Sequence, residues 1–298
     1  MPLSREGVIH NLVVHACREL ERRFVGSSIS ENNLAFHNPA HSTGVARRAE
    51  KILQASFTPS DELPTIDRAL DLVHIIAAYH DIDQDWVTAE EADDHGTWTV
   101  RGAVPGREQR SFEVLQRELQ ARRVENVFSP EEMHIIEEGF AITAVTFDSA
   151  SGALIQPTLN GSSSLVAQAI AMADLSYPGM VGGASFCQAG DDLFREINIG
   201  IGRLIAEAGR GTPLTPGMVE AIVGRIRAWS LNQVEYVEQR HLRFMYELTY
   251  LPSDKQAAVH GLFTTWNLAA NYARFTNSWR SNKLSDADII RDVGYIYL

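Results

Sequence analysis

Only two cysteines, Cys17 and Cys187, occur in 298 residues. They cannot build a disulfide framework, and their separation is not that of a zinc knuckle, so a reducing, cytoplasmic setting is expected. No apolar run approaches the roughly 20 residues needed to cross a bilayer. Ser4, Arg5 and Glu6 stand where a secretory leader would carry its apolar segment. Basic residues are in deficit, with Lys+Arg 26 against Asp+Glu 38 and a formal charge of −12. That balance argues against a nucleic-acid partner and against docking on anionic membranes. An internal repeat, a linker long enough to force two domains and convincing strand alternation are missing too. The nearest strand candidate is Thr97-Trp98-Thr99-Val100.

What the chain does have is helical periodicity and enough apolar residues, 45%, to bury a sizeable core. The expected fold is all-α, one helical unit over 1–298. Ile66, Leu70, Val73 and Ala77 fall three or four apart and lead to His80, so this apolar face ends in a histidine. A second helix is expected from Arg107 to Arg122, with Phe112, Leu115 and Leu119 on one face and Glu108 one turn earlier on the same stripe, pointing inward. A third runs from Ser164 to Asp174 and stops at Tyr177-Pro178-Gly179. Longer patterns cover Met218 to Leu248 and Asp254 to Phe275, and the Ser-, Gly- and Asn-bearing stretch from Asp148 to Ser164 is expected to be a loop.

Chemistry-bearing residues sit at the ends of these helices. His37 and His41 are four apart at a helix start, with Asn38 placed as N-cap and Pro39 at the first helical position. His80-Asp81-Ile82-Asp83 ends one apolar helix and Asp174 ends another, where a charge is costly without a partner. Taken singly, a His-Asp dipeptide is commonly a surface pair, Asp174 a helix-end residue and His37 a cap. Two imidazoles and two carboxylates converging from three helices instead suit a divalent metal with waters in the remaining positions.

The ordered set resembles a known family. His37, His41 and Val45 match the pattern HNxxHxxxV, His80-Asp81-Ile82-Asp83 matches HDxD, and Ala173-Asp174-Leu175-Ser176 with Pro178 matches ADLSxP. In that order they resemble the HD superfamily of metal-dependent phosphohydrolases, most nearly the class I 3′,5′-cyclic-nucleotide phosphodiesterase catalytic domain. Glu108 falls where that family has a buried glutamate orienting a metal-bound water. Phe186-Cys187-Gln188-Ala189-Gly190-Asp191 resembles its FxxQGD segment, and Asn232-Gln233-Val234-Glu235-Tyr236 its SQVxF segment; Thr143 is a weaker match to a threonine near the second metal. Three positions depart from the pattern: Gln84 replaces a histidine, Phe36 a tyrosine and Tyr177 an asparagine.

The resemblance implies a compact multi-helix catalytic core over 30–245, with 250–298 as a helical extension. It implies two divalent ions (Zn2+, Mn2+, Mg2+ or Fe2+) on His41, His80, Asp81 and Asp174. Asp81 can bridge such ions, and a hydroxide held between them is aimed at phosphorus. His37, outside the metal shell, is placed to protonate the leaving oxygen. Gln233 and Tyr236, three apart on one helix face, would grip and stack a purine; the plainer reading makes Gln233 a solvated residue and Tyr236 core. The implied partner is a small nucleotide, most directly a 3′,5′-cyclic nucleotide hydrolysed to its 5′-monophosphate. An HD-type nucleotidase or other phosphohydrolase, and a non-catalytic nucleotide-binding module, remain open alternatives. The aromatic stripe Trp266, Tyr272, Phe275 and Trp279 reads as core or as a homo-oligomer contact.

Overall fold

A computed structural model describes residues 4–24, 34–60, 63–148 and 153–295. Met1 to Leu3 and the first residues of the 30–245 core therefore lie outside the described residues. Thirteen α-helices dominate among the described residues, so the helical expectation holds at the level of class. None of them is long and apolar enough to cross a membrane.

The elements that carry the site begin at well-formed caps. Helix α1 (Arg5–Phe24) packs on α3 (Ile66–Tyr79), and α2 (Pro39–Ser56) packs on both α3 and α6 (Leu165–Leu175). Asn38 caps α2 as expected: its side chain accepts from the Ala40 and His41 amides, and Pro39, which has no N–H to satisfy, follows it. Thr65 caps α3 and Ser164 caps α6 in the same way. Helix α4 (Arg107–Arg122) matches its expected span. Next, α5 (Pro130–Ala141) opens on a reciprocal capping box between Ser129 and Glu132. Gly139 lets α5 approach α3 closely, since a Cβ there would meet Ile76 Cδ1 at 2.5 Å.

Seven helices follow downstream. They are α7 (Pro178–Val181), α8 (Gly183–Ile197), α9 (Ile199–Gly209) and the long α10 (Pro216–Glu247), followed by α11 (Ser253–His260), α12 (Trp266–Asn282) and α13 (Asp286–Asp292). Of these, α8 and α10 line the site. One core runs from Val8 on α1 to Ala273 on α12, and a second joins α8, α9, α10 and α13 through Phe194, Ile201, Ile226 and Ile289.

Four expectations need correction. A hairpin of two eight-residue antiparallel strands, β1 (Trp86–Asp93) and β2 (Gly96–Ala103), pairs Trp86 with Ala103 and Asp93 with Gly96. The candidate Thr97–Val100 lies in β2, where Trp98 and Val100 point into the second core. Strand β1 escaped notice because most of its side chains are exposed and it lacks an apolar alternation. The stretch expected as loop contains β4 (Leu154–Ile155), paired with β3 (Thr146–Phe147); residues 149–152 lie outside the described residues.

The pattern from Asp254 to Phe275 is two helices, not one. The chain turns after His260 so that Phe263 and Trp266 enter the core, with Phe263 against Phe244 at a ring separation of 4.1 Å. The aromatic stripe divides: Trp266 is buried, whereas Tyr272, Phe275 and Trp279 are exposed. The tail is tied to the rest by Arg280, which donates to both oxygens of Asp191 at 2.8 and 2.7 Å and to Ser230 and Asp292.

Candidate metal centre

His41 in the first turn of α2, His80 capping the end of α3, and Asp174 in the last turn of α6 meet because these three helices pack against one another. Each offers one ligand atom, and these atoms lie within 4.8 Å of one another. Asp81 joins them, its Oδ2 standing 2.9 Å from His80 Nε2 and 3.5 Å from His41 Nε2; Asp174 Oδ1 is 3.3 Å from the same His41 nitrogen. The four residues singled out as ligands are thus gathered in one place.

The donor set fits a cation. His80 Nδ1 lies 3.0 Å from the Ala77 carbonyl and donates to it, so a neutral ring presents its lone pair at Nε2. That nitrogen is buried and faces Asp81 Oδ2 without forming an aligned hydrogen bond. An electron-rich nitrogen and a carboxylate oxygen this close need a positive charge between them. A proton on His80 is one way to supply it: burial depresses the imidazole pKa, but Asp81 more than reverses this and pushes it up to about 9. A divalent cation is the other, and it would use all four side chains. Burial resists ionisation of Asp81 and Asp174, yet the surrounding imidazoles hold both carboxyls below their ordinary pKa. His41 moves the other way, with burial lowering its pKa and favouring the neutral ring that a metal requires.

A cavity of about 830 Å³, within the usual range for small-molecule sites, opens on this cluster. His37, His80, Asp81, Glu108, Thr143 and Asp174 line it, together with Gln233, Tyr236 and Phe186. Every sequence-singled site residue except His41 lines it, and His41 is held behind by its contacts to Asp81 and Asp174. Glu108, in the first turn of α4, lines the cavity with its side chain 20% exposed. Thr143 is buried and donates to the Phe140 carbonyl at 2.8 Å.

His37 is engaged by a residue that sequence reasoning missed. Glu196, on α8 and buried, receives His37 Nδ1 at 2.5 Å through one oxygen and the Phe36 and His37 amides at 2.9 and 3.1 Å through the other. This turns the second ring nitrogen of His37 away from Glu196. Burial lowers the His37 pKa, but the Glu196 and Asp81 carboxylates outweigh it and leave it raised. A glutamate flanked by Phe194 and Ile197 on an amphipathic helix was the available signal; nothing in the spacing linked it to His37.

Helices α8 and α10 bring Phe186, Gln233 and Tyr236 to the cavity wall. Tyr236 stacks on Phe186 with ring centres 6.0 Å apart and an angle of 8°, and its hydroxyl donates to the Leu175 carbonyl at 2.9 Å. The Gln233 amide lies over Gly190, where any Cβ would meet its Oε1 at 2.6 Å. Asp191 of the same segment serves structure, through Arg280. Tyr177 lines the wall under the Arg48 guanidinium, 5.5 Å from its ring centre. Gln84, in place of a histidine, donates to Asp81 Oδ1 at 3.1 Å. The second aspartate of the motif, Asp83, faces away and pairs with Arg110 at 2.6 Å, which fixes α4 against the end of α3. No protein-family model, curated protein or solved structure matches the chain.

Proposed function

We propose that the protein is a metal-dependent phosphodiester hydrolase whose most direct substrate is a 3′,5′-cyclic nucleotide. The observation that carries this reading is the buried cluster of His41, His80, Asp81 and Asp174, with the unmatched His80 Nε2 inside it, beside a ligand-sized cavity. Divalent cations held by these side chains would supply Lewis acidity toward a phosphoryl oxygen and lower the pKa of an attacking water. Asp81, in contact with both imidazoles, would be the carboxylate to share between two such ions.

The chain's own groups supply the rest. His37, held by Glu196, whose carboxylate favours its protonated form, delivers a proton from its other ring nitrogen to the departing alkoxide oxygen. Glu108, on the cavity wall, accepts a proton or hydrogen bond from water entering the cavity. The Tyr236–Phe186 pair offers a flat apolar wall, and Gln233 presents a donor and an acceptor suited to a purine edge. The family resemblance of the motifs points to the same chemistry.

The test is hydrolysis of a panel of cyclic and linear nucleotides and of bis(p-nitrophenyl) phosphate by protein stripped with chelator and reloaded with Mn2+ or Zn2+. Metal-restored cleavage of a cyclic purine nucleotide is the expected result. Cleavage of nucleoside monophosphates alone would favour the nucleotidase alternative, and metal uptake with no turnover on any substrate would overturn the hydrolase reading.

A further inference from the structure

The part of the cavity that must receive a phosphoester is dominated by carboxylates: Asp81, Glu108 and Asp174 all line it. A phosphoester is itself an anion, so cationic donors matter there as much as cations on the carboxylates. Two arginines and no lysine are among the lining residues. Arg240 is fully committed, its guanidinium buried between Ser176 and Glu247 and bonded to both. Arg107 is different. Its Nη1 donates to Gln84 Oε1 at 3.3 Å, and its Nε stands 3.9 Å from Glu108, too long for a hydrogen bond. Among the described residues Nη2 has no partner, and the side chain keeps 23% of its exposure.

The position of that guanidinium is set from two sides. Arg107 is the first residue of α4, fixed by the Gly106 turn at φ 77° before it. The α4 helix is in turn anchored by Arg110 on Asp83 and by the Asp83 amide, which donates to Ser111 Oγ at 3.2 Å. From the other side, Gln84 holds Arg107 through its carbonyl and the Asp81 carboxylate through its amide. One glutamine therefore ties an arginine with open donors to a metal-site carboxylate. Arg107 lines the same cavity as His37, the proposed proton donor.

We propose that Arg107 is a substrate-binding residue that grips an anionic phosphoryl oxygen of the phosphoester, with Gln84 as the positioning residue that aims it. Arginine suits the task because its planar fork presents two parallel N–H donors to one phosphate. Nη2 and the remaining Nη1 hydrogen are the pair available here. The inference rests on the phosphoester reading of the metal centre and adds to it the residue that would bind the substrate's charge. It also accounts for Gln84: a neutral amide can hold a carboxylate and a guanidinium together, one by its N–H and the other by its carbonyl.

Inorganic phosphate is the probe. Wild-type protein, Arg107→Gln and Arg107→Lys would be loaded with Mn2+, checked for metal content and titrated with phosphate by calorimetry. Arg107→Gln should keep its metal and lose about 10- to 100-fold in phosphate affinity, the usual worth of hydrogen bonds to a charged group. Arg107→Lys, which keeps the charge without the fork, should fall between. In wild-type protein, phosphate should protect Arg107 from phenylglyoxal while leaving the exposed Arg22 equally reactive, a readout that does not depend on any variant folding.

Equal phosphate affinity in wild type and Arg107→Gln at equal metal content would overturn the proposal. Absence of phosphate binding to wild type, or Arg107 labelling indifferent to phosphate, would do the same. Arg107-dependent phosphate binding in a protein that cleaves no phosphodiester would leave Arg107 as the anion site and remove the diesterase reading alone.

Discussion

Replacing Glu196 by glutamine keeps the shape of the side chain and removes its charge. The carboxylate is buried and makes three contacts: His37 Nδ1 on one oxygen, and the Phe36 and His37 amides on the other. A glutamine carbonyl can still accept from the two amides, so the loop before α2 should stay in place. What is lost is the ion pair with the imidazole. A hydrogen bond to a charged group contributes about 1.5–3 kcal/mol and a neutral one about 1 kcal/mol, a difference of about 0.5–2 kcal/mol in favour of protonated His37.

At 1.36 kcal/mol per tenfold, the Glu196→Gln substitution should lower kcat on a cyclic nucleotide by roughly 2- to 30-fold. The sign of the pH effect follows from the role. A general acid works while protonated, so activity disappears as pH rises through its pKa. Burial opposes the proton on His37 and Glu196 is the leading carboxylate that restores it, so Glu196→Gln should move the alkaline limb of the kcat profile to lower pH. His37→Ala should cost more, about 10²- to 10⁴-fold, and adding Glu196→Gln to it should change little, since both act through one proton.

Metal content should be unchanged in all three variants, and a p-nitrophenyl diester, whose leaving group needs no proton, should hardly respond. Measured kcat–pH profiles on both substrates, with metal analysis, decide the matter. An unmoved alkaline limb, additive effects in the double variant, or equal losses on the nitrophenyl substrate would refute the dyad.

Asp81→Ala should abolish hydrolysis and reduce bound metal, because Asp81 touches both imidazoles; retained turnover would place the bridging carboxylate elsewhere. Gln233→Ala should raise KM for a cyclic purine nucleotide by about 1–2 kcal/mol, one or two hydrogen bonds' worth, and leave kcat/KM for a base-free diester unchanged; equal losses on both would make it a structural residue. Arg280→Met should lower stability to urea by about 3–5 kcal/mol, because it strands the buried Asp191 carboxylate without a partner. A loss under about 1 kcal/mol would mean that α12 is not held through this pair.

Chemistry near helix ends was legible in the sequence because capping and periodicity are local. Asn38-Pro39 announced the start of α2, apolar spacing announced the end of α3 at His80, and the Pro178 stop bounded the helix that carries Asp174. Local rules also misled where burial came from afar. The β1 strand is mostly solvent-facing and takes its order from pairing with β2, while the helical pattern after Asp254 is broken where Phe263 and Trp266 turn into the core. The partners of the site were hidden for a related reason. Glu196 lies 159 positions from His37, and Arg107 reaches Asp81 only through Gln84. Residue type and spacing determine which side chains a helix end offers; which carboxylate meets which imidazole, and which arginine keeps its donors open, is decided by how α4 and α8 pack around the ends of α2, α3 and α6, because hydrogen bonds and charges act over a few ångströms of space and not along the chain.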